Sequence, residues 1–119
     1  MNFKNKVIVI TGASSGIGEA SAIKFAKKNA KIVLVARRKE KLLQLQKKLV
    51  KFTDSTLVCQ CDVSNKTQVK EMTDIVLDTF GRIDVLINNA GFVIYGKVSE
   101  LSIEEIESQM ETNYFGMIY

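Results

Sequence analysis

The feature that most constrains this chain is a β-branched apolar run that ends in a glycine-rich turn and leads into a helix-forming segment. Val7-Ile8-Val9-Ile10 has no polar alternation, which suits a strand buried on both faces. It runs directly into Thr11-Gly12-Ala13-Ser14-Ser15-Gly16-Ile17-Gly18. At such a junction one glycine lets the chain turn out of the strand. A second lets the backbone approach an anion with no Cβ in the way, and a third lets the helix sit close to the sheet. Gly12, Gly16 and Gly18 fill those places, and Ile17 opens the helix between the last two. The unpaired N–H groups of a first helical turn face such an anion with the helix dipole behind them, and Ser14 and Ser15 add hydroxyl donors.

The same alternation of short apolar runs and helical periods continues along the chain. Lys31-Ile32-Val33-Leu34-Val35-Ala36, Thr56-Leu57-Val58-Cys59 and Ile83-Asp84-Val85-Leu86-Ile87 read as three further strands. Between them Ala20, Ile23, Ala26 and Ala30 mark a first helix. Leu42, Leu45, Leu49 and Phe52 mark a second, and Val69, Met72, Val76 and Phe80 a third with Ser64 or Asn65 as N-cap. A fourth starts near Ser102, where Glu105 three residues on completes a capping box, and is expected to run toward Tyr119. The order β-α-β-α-β-α-β-α predicts right-handed crossovers and an α/β, Rossmann-type doubly wound parallel sheet, four strands in the order 3-2-1-4. At 119 residues, the span 1–119 reads as one domain.

Composition removes most other function classes. With no His there is neither a Ser-His-Asp triad nor a histidine metal ligand, and two Cys cannot close a four-ligand zinc site, so no metal centre is expected. Cys59 and Cys61 read as core filling in a reducing compartment. No run of about 18 apolar residues occurs and no secretory leader precedes Gly12, so no membrane association and a cytoplasmic location are expected. Residues 1–52 hold 13 Lys/Arg against 2 acids and residues 53–119 hold 4 against 11. The basic half suits solvated helix faces or one phosphate-bearing ligand. No aromatic residue is interleaved with the lysines from Lys39 to Lys51 as a stacking platform, so nucleic acid is not expected as a partner.

The glycines fall as Gly12-x-x-x-Gly16-x-Gly18 behind Thr11, rather than in the plain G-x-G-x-x-G spacing. Asp62-Val63 follows the third strand, Asn88-Asn89-Ala90-Gly91 the fourth, and Asn113 lies in the last helix. With these motifs at matching distances, the chain resembles the classical short-chain dehydrogenase/reductase family along essentially its whole length. The resemblance implies a nicotinamide dinucleotide with its diphosphate and adenosine ribose at the Gly12–Gly18 turn. It implies Asp62 accepting a hydrogen bond from the adenine amino group, with Val63 beside the ring, and Asn89, Ala90 and Gly91 lining the cofactor cleft. Asn113 matches the asparagine of the family's catalytic Asn-Ser-Tyr-Lys set, which helps hold a water in the proton path.

In this fold an acid at the end of the second strand binds a ribose 2′-hydroxyl, whereas an arginine there accommodates a 2′-phosphate. Here the strand ends Val35-Ala36-Arg37-Arg38-Lys39, which predicts NADP(H) over NAD(H), with Arg37 the primary contact and Arg38 the secondary one. The implied activity is hydride transfer between nicotinamide and a small carbonyl or alcohol substrate, usually in a homo-oligomer. The family's proton transfer uses a Tyr with a Lys four residues later. Tyr95 is followed at that distance by Ser99 and Tyr114 by Ile118, and Tyr119 is the last residue. The chain therefore reads as the cofactor-binding half, ending before the family's fifth strand and expected to be inactive by itself. The alternative is a non-catalytic dinucleotide-binding or sensing module. Phe92, Val93, Ile94 and Tyr95 are candidates for one wall of a substrate site.

Overall fold

A computed structural model describes residues 2–14, 16–92 and 94–119. Ser15, a candidate phosphate contact, and Val93, a candidate wall residue, lie outside the described residues. The strands are β1 Val7–Thr11, β2 Lys31–Ala36, β3 Thr56–Gln60 and β4 Val85–Ile87. They form one parallel sheet in the order β3-β2-β1-β4, with Val9 opposite both Val33 and Leu86, and Val35 opposite Cys59. The helices α1 Gly16–Ala26, α2 Lys39–Leu49 and α3 Lys66–Phe80 fill the crossovers, and α4 Ile103–Met110 follows β4.

The unbroken apolar runs have a simple cause. Successive residues of β1 and β2 point to opposite faces, and both faces are covered. Ile8, Ile10, Ile32 and Leu34 pack with Ala22 and Ala26 of α1 and Leu42, Leu45 and Leu49 of α2. Val7, Val9, Val33 and Val35 pack with Cys59, Cys61, Met72 and Val76 on the other side. Both cysteines are therefore core residues with free thiols. Cys61 lies one residue past β3. Burial, and then the neighbouring Asp62 carboxylate, push its thiol up to about 11.

Two helices depart from the sequence pattern. The buried stripe of α1 is Gly18, Ala22 and Ala26, not the one through Ala20, which is exposed. Small residues at a spacing of four are what a close approach to the sheet requires, and they carry little hydrophobic signal. Helix α4 begins as expected: Ser102 Oγ accepts from Glu105 N at 3.1 Å, and Glu105 Oε2 accepts from Ser102 N at 2.8 Å. It does not continue regularly to Tyr119. Residues Glu111–Phe115 form a π-helical turn before a last short turn at Gly116–Ile118. Two close approaches coincide with this turn. The Asn113 side chain is engaged by the backbone after β4, and a Cβ on Gly116 would stand 2.7 Å from Val63 Cγ2.

Strand β4 is also shorter than its sequence run: Ile83 and Asp84 both lie outside it. Asp84 joins the sheet through both its backbone and its side chain. Its N–H donates to Val7 O at 2.9 Å, and its Oδ2 accepts from Val7 N at 2.8 Å. Asn65, one of the two expected caps, does cap α3, accepting from Gln68 N at 3.1 Å. Among the described residues no helix is long and apolar enough to cross a membrane.

Candidate functional site

The sheet order reverses at β1. The chain builds outward to β2 and β3, then returns to the other side of β1 for β4. Crevices at such switch points, beyond the carboxyl ends of the strands, are where open α/β sheets bind ligands. Here a cleft of about 580 Å³ opens at that place. Gly12 and Ser14 stand at its floor, Arg37 and Arg38 at the end of β2, Asp62 and Val63 after β3, and Asn89, Ala90, Gly91 and Phe92 after β4. One cleft thus gathers residues from four separate stretches of chain. Thr112, from the π turn, also reaches it.

The geometry of the glycine turn follows from what it touches. Gly12 has φ +63°, and a Cβ there would lie 2.8 Å from Ala90 Cα. A Cβ on Gly18 would collide with the Gly12 carbonyl oxygen and stand 2.6 Å from Asn89 Nδ2. Both positions therefore require glycine because the segment after β4 lies against the turn. Gly16 differs: with φ +59° it has no atom within 4 Å of its missing Cβ, so it faces open space where an anion can approach the backbone. Ile17 beside it is exposed.

One hydroxyl organises the junction. Thr11, only 4% exposed, donates from Oγ1 to Ile87 O at 3.3 Å. The same oxygen accepts from Asn89 N and from Ala90 N, each at 3.0 Å. Asn89 Nδ2 donates in turn to Gly12 O at 3.1 Å. In the sequence Thr11 stands out only as part of a motif. The signal that could have singled it out is a lone hydroxyl at the end of a buried strand, which must find partners.

On the opposite wall, Asp62 is held in a fixed turn. Its Oδ1 accepts from Ser64 N at 3.0 Å and Ser64 Oγ at 2.7 Å, while its N–H donates to Gln68 Oε1 at 2.8 Å. Arg37 and Arg38 are exposed, and among the described residues neither forms an ion pair. Both residues line the cleft at the end of β2, where the sequence has no acid.

Asn113 shares a helical stripe with Ile103, Ile106, Met110 and Met117, and a regular amphipathic helix would bury that stripe. In the structure no residue of α4 is buried, Ile103 is 64% exposed, and Asn113 is exposed as well. Both ends of its amide are nevertheless engaged. Nδ2 donates to Phe92 O at 2.7 Å and Oδ1 accepts from Phe92 N at 2.9 Å, which clamps the segment that ends the cleft wall. Asn113 thus stands behind Phe92, with Oδ1 3.1 Å from where a Gly91 Cβ would be. Gly116 and the π turn carry no local pattern that distinguishes them from ordinary helix.

Comparison with known proteins agrees with this architecture. A family model for short chain dehydrogenases matches residues 6–119. The chain is 38% identical over 118 residues to an oxidoreductase of Listeria innocua, covering 99% of this chain and 48% of that protein. L-sorbose reductase from Gluconobacter frateurii, solved with NADPH and L-sorbose, superposes with a TM-score of 0.93 at 36% identity, covering 99% of this chain and 46% of that one. A 3-ketoacyl-(acyl-carrier-protein) reductase from Brucella melitensis, solved with NADH, superposes with a TM-score of 0.91 at 32% identity, covering 98% and 47%. The chain spans about half the length of the curated relatives it matches.

Proposed function

The chain belongs to the short-chain dehydrogenase family, and from that premise we propose that it forms the nucleotide-binding part of an oxidoreductase that prefers NADP(H) to NAD(H) and acts on a small carbonyl or alcohol substrate. The observation that carries the cofactor choice is the pair Arg37 and Arg38 at the cleft mouth, unpaired among the described residues, where this fold otherwise places an acid. A carboxylate there would accept a hydrogen bond from a ribose hydroxyl but repel a 2′-phosphate. Guanidinium groups bind phosphate through charge-assisted, paired hydrogen bonds.

The rest of the cleft suits the same ligand. Gly16 leaves room for a diphosphate beside the N-terminus of α1, and Ser14 and Ser15 are proposed as its hydroxyl donors. Ile17 and Gly18 are proposed to form the first helical turn behind the diphosphate, Gly12 to hold the turn open, and Asp62 to accept from the adenine amino group. Val63 would flank the ring, and Asn89, Ala90 and Gly91 would close the far wall. Asn113 is proposed to serve the proton path while fixing that wall. The nicotinamide, when bound, supplies hydride exchange at its C4 carbon.

Titration of the native protein with NADPH and NADH tests the reading. NADPH should bind more tightly, and Arg37→Ala should weaken NADPH binding about 10- to 100-fold while changing NADH binding little. Equal affinities, with no effect of Arg37→Ala, would remove the preference. The second reading is a nucleotide-binding or sensing module without chemistry. NADPH-dependent reduction of a carbonyl by the native protein separates the two.

A further inference from the structure

We propose that Phe92 is a positioning residue for Arg37, holding its guanidinium at the cleft mouth so that a nucleotide bearing a 2′-phosphate meets a pre-ordered partner. The proposal rests on the NADP(H) reading above and adds a residue to it. Arg37 Cζ lies 5.9 Å from the centroid of the Phe92 ring, over its face. The two side chains come from opposite walls of the same cleft, one after β2 and one after β4. Both backbones are anchored from behind. Arg37 O accepts from Gln60 Nε2 at 3.1 Å, and Phe92 is gripped on both its N–H and its C=O by Asn113.

An exposed arginine is otherwise free to sample many rotamers, and ordering it when ligand arrives weakens binding. A guanidinium seated on an aromatic face keeps its planar N–H edge available, and that edge is what a phosphate takes. The ring therefore restrains the side chain without consuming the donors. It also links Asn113, on the side of the cleft assigned to chemistry, to the arginine assigned to cofactor choice. Phe92 meets both, Asn113 through its backbone and Arg37 through its ring.

The test measures binding rather than turnover. Calorimetry on the native protein compares adenosine 2′,5′-bisphosphate with 5′-AMP, two probes that differ in the 2′-phosphate. Phe92→Leu, which keeps an apolar side chain and removes the ring face, should lower the selectivity ratio about two- to fivefold, through the 2′-phosphate probe alone. Phe92→Tyr, which keeps the face, should retain the wild-type ratio. In an Arg37→Ala background, Phe92→Leu should leave the ratio unchanged. An unchanged ratio in Phe92→Leu, equal losses for both probes, or a loss that persists without Arg37 would overturn the proposal. A wild-type protein that binds both probes equally and is indifferent to Arg37→Ala removes the cofactor reading and this inference with it. Wild-type selectivity kept intact by Phe92→Leu removes only this inference.

Discussion

The two sides of the cleft are built by different means. On the β2 side, Ile32, Val33, Leu34 and Val35 are fully buried between two helical layers, and their strand is flanked by β1 and β3. On the β4 side, Leu86 is 52% exposed and α4 has no buried residue. Apolar burial holds the first wall. The second is held largely by individual polar contacts: Thr11 to the segment after β4, Asp84 to Val7, and Asn113 to Phe92. Burial tolerates rearrangement among many small contacts, whereas a hydrogen bond is lost with one atom. The β2 wall should therefore fail through volume and the β4 wall through polarity.

That contrast can be broken most forcefully in the core. Ile32→Ala should cost about 2–5 kcal/mol of unfolding free energy in urea titration, while Leu86→Ala on β4 should cost less than about 1 kcal/mol. Equal losses would erase the distinction. The next largest effect is expected from Thr11→Val, which keeps shape and removes the hydroxyl. It leaves the Asn89 and Ala90 N–H groups without their acceptor and should cost about 1–3 kcal/mol, with weaker nucleotide binding as the second readout.

The smallest effect concerns pH. The hydrogen bond from the Arg82 guanidinium, and then that from the Val7 N–H, hold the Asp84 carboxyl below its ordinary value of 3.8. A lowered acid stabilises the fold above its unfolded pKa, and that contribution disappears as pH falls through the lowered folded value. Acid titration of the wild type should show a shallow loss of stability below about pH 4 that Asp84→Asn lacks. Because this pair is solvent-exposed, added salt should flatten the difference further.

How much of this was legible beforehand follows the same division. The buried wall announces itself in sequence because burial on both faces needs an unbroken apolar run, as in Val33-Leu34-Val35. The glycine turn and the two arginines are equally local, so their places at the end of β1 and β2 could be read directly. The polar wall could not. Thr11 meets Ala90 across 79 positions of sequence, and Asn113 meets Phe92 across 21. Nothing in the pattern around Gly116 reports that Val63 will lie against it. Around helix α1 the pattern marks Ala26 and Ala30 but misplaces Ala20 and passes over Ala22, because a stripe of small residues that allows close approach carries little hydrophobic signal.

The hydroxyl of Thr11 has a consequence for whatever enters the cleft. A threonine oxygen offers one hydrogen and two lone pairs. Ile87 takes the hydrogen, and Asn89 and Ala90 occupy the lone pairs. This oxygen is chemically spent, a bolt rather than a hand. A ligand of the cleft would have to take its polar contacts from groups still uncommitted, which in the function proposed above throws the weight of selection onto Arg37 and Arg38.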